Sequence, residues 1–380
     1  MEFNQLYTGC KFREAFLKCL ENPKLSDWGL VIDNFSFTKW RQFHDTWLQS
    51  NLRPYGSDPV DHISKILLSN KYRKSSSVKI IDKNFCSVLK NKIFNVVNKN
   101  DPVTLVLPGF PFKSGNIAKC HRRTPDIAEI ASLCRLWEIT QLVQFIYPPG
   151  MNIIILSDGI MLSKVFNIYP YFSELYQRKI SEWISILGFK SQITIFDLHS
   201  LLQKQFPKFE NEFACELNVI KRSASSKDLE QLHRSVRLNY NTLHFAQKIV
   251  SSYLTNSNFI GSSRVTMREL QQINITTKEK VLEYKAFWTT IERLKIVESL
   301  FPNSIRGTPH AFKRDYKLSL YLVNDTTIVL PWMGVGFVKL MGTERQGVIT
   351  VRYEYEVPID RAIPIFCMGE ESPFGYIAVG

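Results

Sequence analysis

With 380 residues, 44% of them hydrophobic and 13% aromatic, the chain can bury a substantial core, and its composition excludes a disordered protein. Lys and Arg outnumber Asp and Glu by 48 to 35, a net charge of +13 that suits nucleic acid, an acidic membrane surface or a small phosphorylated anion. The basic residues are dispersed and show no RNP or zinc-finger spacing, so nucleic acid is not the expected partner.

The seven cysteines are scattered, odd in number and form no C-x-x-C. With no signal-like start and no apolar run near 18 residues, the expectation is a soluble, cytoplasmic protein that does not enter a membrane. The histidines show neither H-x-x-x-H nor H-x-D, so no metal site is expected.

In chain order, residues 1–78 predict a helical cap, with Phe12, Phe16 and Cys19 at helical spacing and a short helix over Asp58–Leu68. Asn70–Ser77 is polar and basic and reads as an exposed loop. Residues 79–312 predict an α/β core. A helix over Asn84–Asn95 leads to a strand at Val103–Leu107, and Thr124-Pro125-Asp126 starts a helix with Pro and an acid in its first turn. A second strand spans Met151–Leu156, a helix follows over Phe172–Leu187, and a third strand covers Gln192–Phe196. This alternation predicts a Rossmann-like, mostly parallel sheet flanked by helices. No Gly-rich dinucleotide fingerprint follows any strand, so no nicotinamide or flavin cofactor is expected. Helices are predicted over Asp228–Leu254 and Thr277–Phe301. In residues 313–380 the period switches to two (KLSLYLV, TTIVLP, GVGFVKLM, GVITVRYEYEVP), which predicts an antiparallel β extension with turns at Asn324-Asp325 and Gly342.

Chemistry is expected where the strands end. Lys113 follows the first strand between Phe110, Phe112 and the polar Ser114-Gly115-Asn116. Desolvation there would lower its pKa and make it a nucleophile or base; it could equally be an anion hook with Ser114 and Asn116, or a solvated turn lysine. Asp126 and Glu129 share a helical face, either as first-turn acids or, for Glu129, as a group lining a site. Asp158 ends the second strand before a glycine, where a carboxylate can hold an amine or act as a base, or simply form the turn. Tyr147 is either a phenol near the site or the end of an apolar helix. Arg234 and Arg237, three apart, could grip a phosphate or lie on an exposed face.

The ordered set FPFKSGN (110–116), PDIAE (125–129), YPPG (147–150) and SDG (157–159) resembles the isonitrile (isocyanide) synthases and the related dityrosine-pathway enzymes of fungi. The resemblance spans roughly residues 80–340, and is looser in its second half. It raises Lys113 and Glu129 as site residues beside Asp158, which its place at a strand terminus already favours. Because the run SIRGTPHAFKRDYKLSLYLV is similar to the family's arginine-containing stretch, it also adds Arg306 and His310. It implies an enzyme that joins the amine of tyrosine or tryptophan to ribulose 5-phosphate without metal or cofactor. It further implies a pathway neighbour, an Fe(II)/2-oxoglutarate oxygenase. The family usually reads Pro-Trp-His where this chain has Pro331-Trp332-Met333, which leaves an N-formyl product open, and a non-catalytic binder of an anionic partner stands as a third reading.

Overall fold

A computed structural model of the protein describes residues 58–74, 83–114, 119–120, 122–166, 168–223, 267–310, 317–324, 327, 329–341, 346–358, 362–365 and 373–378. The expected helix over Asp228–Leu254, the aromatic-rich first 57 residues, Asn116, Arg234 and Arg237 lie outside the described residues.

Among the described residues, five strands form one all-parallel sheet in the order β3-β2-β1-β4-β5. These are β1 (Val103–Pro108), β2 (Met151–Ser157), β3 (Ile193–Asp197), β4 (Ile305–Thr308) and β5 (Leu318–Ser319). β1 and β2 are continuous apolar runs because both of their faces are covered. Leu105, Leu107, Ile153 and Ile155 point to one face, under helices α1 (Pro59–Leu68), α2 (Lys83–Val97), α3 (Ile127–Ile146) and α5 (Pro170–Ile186). Val106 and Leu156 point to the other. There they meet α6 (Leu198–Gln205), α7 (Phe209–Ser223), α8 (Met267–Arg293) and α9 (Ile296–Leu300). The short α4 (Gly159–Phe166) leaves directly from the end of β2.

Helix α3 is the central strut. Its N-terminus is fixed by a reciprocal capping box: Asp126 accepts from the Ala128 N–H at 2.7 Å, and Glu129 accepts from the Asp126 N–H at 2.9 Å. Its interior is buried on nearly every side, Trp137 stacking on Phe189 at 4.9 Å, because it lies between the large sheet and a smaller one. That smaller sheet has the order β7-β6-β9-β8, from β6 (Val335–Met341), β7 (Gln346–Arg352), β8 (Ala362–Ile365) and β9 (Gly375–Ala378). Ile127 of α3 seats in a notch made by two glycines. A Cβ on Gly336 would come within 2.1 Å of its Cγ2, and one on Gly375 within 2.7 Å.

Several expectations are corrected. The terminal sheet is mixed, since β6 and β9 run parallel. The KLSLYLV segment does not join it; Leu318–Ser319 pairs in parallel with β4 and extends the main sheet. Pro331, expected as the last residue of the strand TTIVLP, instead opens a 3-10 turn over Pro331–Met333, because it has no N–H to give a ladder. Arg306 lies within a strand, β4, that the short and partly polar IRGT did not announce. The expected exposed loop at Asn70 is partly interior: Tyr72 is buried and Arg73 bridges Leu320.

Candidate active site

All five parallel strands end on the same edge of the sheet, and between β1 and β4 the chain order reverses. In such sheets ligands bind in the crevice outside the carboxyl ends, at that switch point. The loop after β1, Asp158 after β2, Asp197 at the end of β3, Thr308 at the end of β4 and His310 after it all lie on this edge.

The loop after β1 is held in an unusual path. Phe110 has a positive φ of 54°, a conformation disfavoured for a bulky side chain, and its carbonyl accepts from Ser157 Oγ at 3.0 Å. The Gln177 side chain donates to the same Oγ at 2.8 Å, and Ser173 donates to the Pro111 carbonyl at 3.0 Å. The approach is so close that a Cβ on Gly159 would sit 2.1 Å from Ser173 Oγ and 2.2 Å from the Pro111 oxygen. Only glycine fits there, which gives the SDG triplet a steric cause.

Lys113 ends this path inside the protein. Its Nζ lies 2.8 Å from Asp126 Oδ2, Glu129 Oε2 and the carbonyls of Pro331 and Gly334. Its side chain is wholly buried. The expectation of a lowered lysine pKa is therefore corrected. Burial pulls it down, but the carboxylates of Asp126 and Glu129 outweigh that and raise it. An ammonium whose three N–H bonds face four oxygens has no lone pair to offer a carbonyl. It is a latch that joins the first strand's loop, the start of α3 and the 331–334 turn. Glu129 is equally interior: its other oxygen accepts from Tyr176 Oη at 2.9 Å, and burial, partly offset by Lys113, holds its carboxyl above the usual range. Ser114 continues the strap, its N–H donating to the Trp332 carbonyl at 2.7 Å while its own carbonyl accepts from Arg123 at 2.8 Å.

Asp158 is the buried acid at the edge. It packs against the second sheet face, opposite α8, and Tyr284 Oη lies 3.5 Å from its Oδ2. Burial raises its carboxyl to about 7, against the lowering effect of its own backbone N–H and of Tyr284. A carboxyl poised near neutrality at a strand's end is suited to exchanging protons with an amine. Among the described residues no group of three or more His, Cys, Asp or Glu could hold a metal ion.

The other candidates are placed apart from Asp158. Tyr147 is corrected: it caps the C-terminus of α3 and donates to the Asp101 carbonyl at 2.9 Å, at the amino end of the strands. The seven residues of β2 put it roughly 20 Å from the ligand edge. Arg306 is nearly buried and its fork is already engaged, with Glu292 at 2.8 and 2.9 Å and Glu298 at 3.5 Å. His310 lies on the carboxyl edge and is exposed; its N–H donates to Thr308 Oγ1 at 3.2 Å. Partial desolvation of the ring by the surrounding chain, with Lys74 nearby, lowers its pKa. Sequence reasoning missed Tyr284, Tyr176, Gln177 and Glu292. The only available signal was the aromatic run Tyr284, Phe287, Trp288 on one helix.

A family model described as pyoverdine/dityrosine biosynthesis protein matches residues 93–351, and the chain belongs to that family. An L-tyrosine isonitrile synthase of Xenorhabdus nematophila is 26% identical over 246 residues, covering 63% of this chain and 69% of the relative. An L-tryptophan isonitrile synthase of Fischerella ambigua is 30% identical over 110 residues, 29% of this chain and 33% of the relative. The crystal structure of the PvcA protein from Pseudomonas aeruginosa shares the fold, with a TM-score of 0.59 and 21% identity over 83% of this chain and all of that one.

Proposed function

We propose that the protein is an isonitrile synthase that condenses the amine of tyrosine or tryptophan with ribulose 5-phosphate. The amine adds to the ketone carbon and water leaves to give an imine. Both carbon–carbon bonds of the former ketone carbon then break, one electron pair staying on that carbon as the isonitrile lone pair and the other leaving with the sugar fragment as phosphate departs. Asp158 carries the reading: it is a buried carboxyl, poised near neutrality, at the ligand edge of a sheet whose family relatives include isonitrile synthases for both amino acids.

In this reading Asp158 receives the amine and moves its protons. Ser114 in the loop after β1 holds the phosphate together with Asn116, Arg234 and Arg237, which lie outside the described residues, and the net charge of +13 attracts it. Arg306 would have to exchange Glu292 for phosphate, so it serves more readily to brace β4 against α8. Lys113 and Glu129 act from inside, by fixing the loop. His310 stands ready as a proton carrier on the open side of the edge.

A second reading is kept by Met333. It packs on the main core within the turn that Lys113 grips, and a thioether cannot carry the protons that a histidine would. That reading gives an N-formyl amino acid. Purified protein incubated with ribulose 5-phosphate and each amino acid, with mass and phosphate release followed together, separates the two. The isonitrile mass with amino-acid-dependent phosphate release supports the first, the formyl mass supports the second, and absence of turnover in folded protein removes both.

A further inference from the structure

The proposed role of Asp158 leaves open what aims its carboxyl. Tyr284 and Asp158 are 126 residues apart in sequence, yet α8 packs directly against α4, the helix that Asp158 opens. Val281 and Tyr284 of α8 interlock with Val165 and Phe166 of α4, and Phe166 in turn meets Phe112 of the loop after β1 edge-on at 6.2 Å. The phenol is thus carried on a rigid helix and held by contacts reaching the Lys113 loop. Trp288, one turn further along α8, stands edge-on to the Tyr284 ring at 6.5 Å and limits its swing. The groups that bear electrostatically on Asp158 are Tyr284 and Trp288 from α8 and the Asp197 carboxylate from the end of β3. Asp197 is an acid that already caps α6 through Ser200, so it can only repel. Tyr284 therefore brings Asp158 an O–H donor where Asp197 brings only negative charge.

We infer that Tyr284 is a positioning residue for Asp158: its phenol orients the Asp158 carboxyl at the end of β2 and stabilises its ionised form. This rests on the reading of Asp158 as the proton-handling group. At 3.5 Å the contact is long, as hydrogen bonds of catalytic pairs often are before the reacting complex tightens them. Burial and the neighbouring carboxyl hold the phenol well above its usual pKa, so it stays a donor across the working range. Asp158 is therefore the member of the pair that titrates, and Tyr284 lowers the point that burial would otherwise give it.

Two readouts test this, one independent of turnover. The protonated-carboxyl infrared band of Asp158, identified by its loss in Asp158→Asn, gives the titration midpoint directly. In Tyr284→Phe, which removes one oxygen, the midpoint should rise by about half a pH unit, and the pH limb of kcat/KM should move with it. At about pH 6 that reads as roughly a threefold loss of kcat/KM. Placing 3,5-difluorotyrosine at 284, a stronger donor of nearly the same shape, should shift both the other way. An unchanged midpoint in either folded variant overturns the inference, even if the melting temperature falls, because a purely packing role moves stability alone. If wild-type protein shows no turnover with either amino acid, the isonitrile reading fails, while the infrared midpoints still decide whether Tyr284 governs Asp158.

Discussion

Lys113 and Pro331 are 218 residues apart, and the ammonium of the first donates to the carbonyl of the second over 2.8 Å. The same nitrogen meets Asp126 and Glu129, so one buried cation ties together the FPFKS loop, the PDIAE helix start and the Pro-Trp-Met turn. Breaking such a cluster by removing one partner strands the others. Lys113→Met should lower stability by about 3–5 kcal/mol and melt the protein well below wild type, because two carboxylates lose their counter-charge in the interior. Calorimetry or thermal unfolding checks this. A variant that is inactive yet melts like wild type would instead restore the reactive-lysine reading.

Asp158 makes the opposite prediction for stability. Its carboxyl binds a proton more tightly in the folded chain, at about 7, than in the unfolded chain, at the ordinary 3.8. The sign follows from proton counts: between those values the native state holds more proton, so the stability it contributes falls as pH rises through that window. Asp158→Asn removes the group. The variant should lose turnover while gaining melting temperature over wild type, and the gain should be near zero at about pH 4, grow to about pH 7 and stay level above. Melting curves across that range decide it; a gain that does not depend on pH would contradict the burial of this carboxyl.

Gly159 should tolerate no side chain. In Gly159→Ala the new methyl would collide with Ser173 Oγ at 2.1 Å and with the Pro111 carbonyl at 2.2 Å, and the carbonyl is backbone that cannot rotate away. Overpacking of this kind costs about 1–3 kcal/mol. Because the displaced loop is the one after β1, kcat should fall more than stability alone explains. Assaying turnover well below the melting temperature separates the two effects.

Arg306 should behave as a brace. Arg306→Lys keeps the charge but loses the two-pronged contact with Glu292. Since Glu292 is partly exposed, the cost should be modest, about 1 kcal/mol or less, with KM for ribulose 5-phosphate unchanged. A rise in KM with unaltered stability would return Arg306 to the phosphate site.

Much of this architecture was legible because it is written in local patterns. The apolar runs of β1 and β2, the helix start at Thr124-Pro125-Asp126 (where Asp126 proves to be the cap and Pro125 precedes it) and the glycine after Asp158 each impose their structure within a few residues, and the alternation of strand and helix made the parallel sheet readable. What was hidden depends on distant partners. Lys113 reads alike whether it faces solvent or four oxygens, and the carbonyls that fix it come from residues 331 and 334. Arg306 looks like a phosphate ligand until Glu292 arrives from α8. Tyr147 follows an apolar helix either way, and only the sheet's direction shows that it sits at the wrong end. Leu318–Ser319 has the alternation of a terminal strand, but nothing local says that its neighbour is β4.

The most direct test of the proposed chemistry is to supply ribulose 5-phosphate labelled with carbon-13 at its ketone carbon, together with tyrosine or tryptophan, and to follow the label. The proposed reaction predicts that the labelled carbon becomes the isonitrile carbon of the product, detected by carbon NMR and mass. It also predicts that Asp158→Asn abolishes this transfer while remaining folded. Label left wholly in the sugar phosphate, or transfer undiminished in Asp158→Asn, would contradict the account.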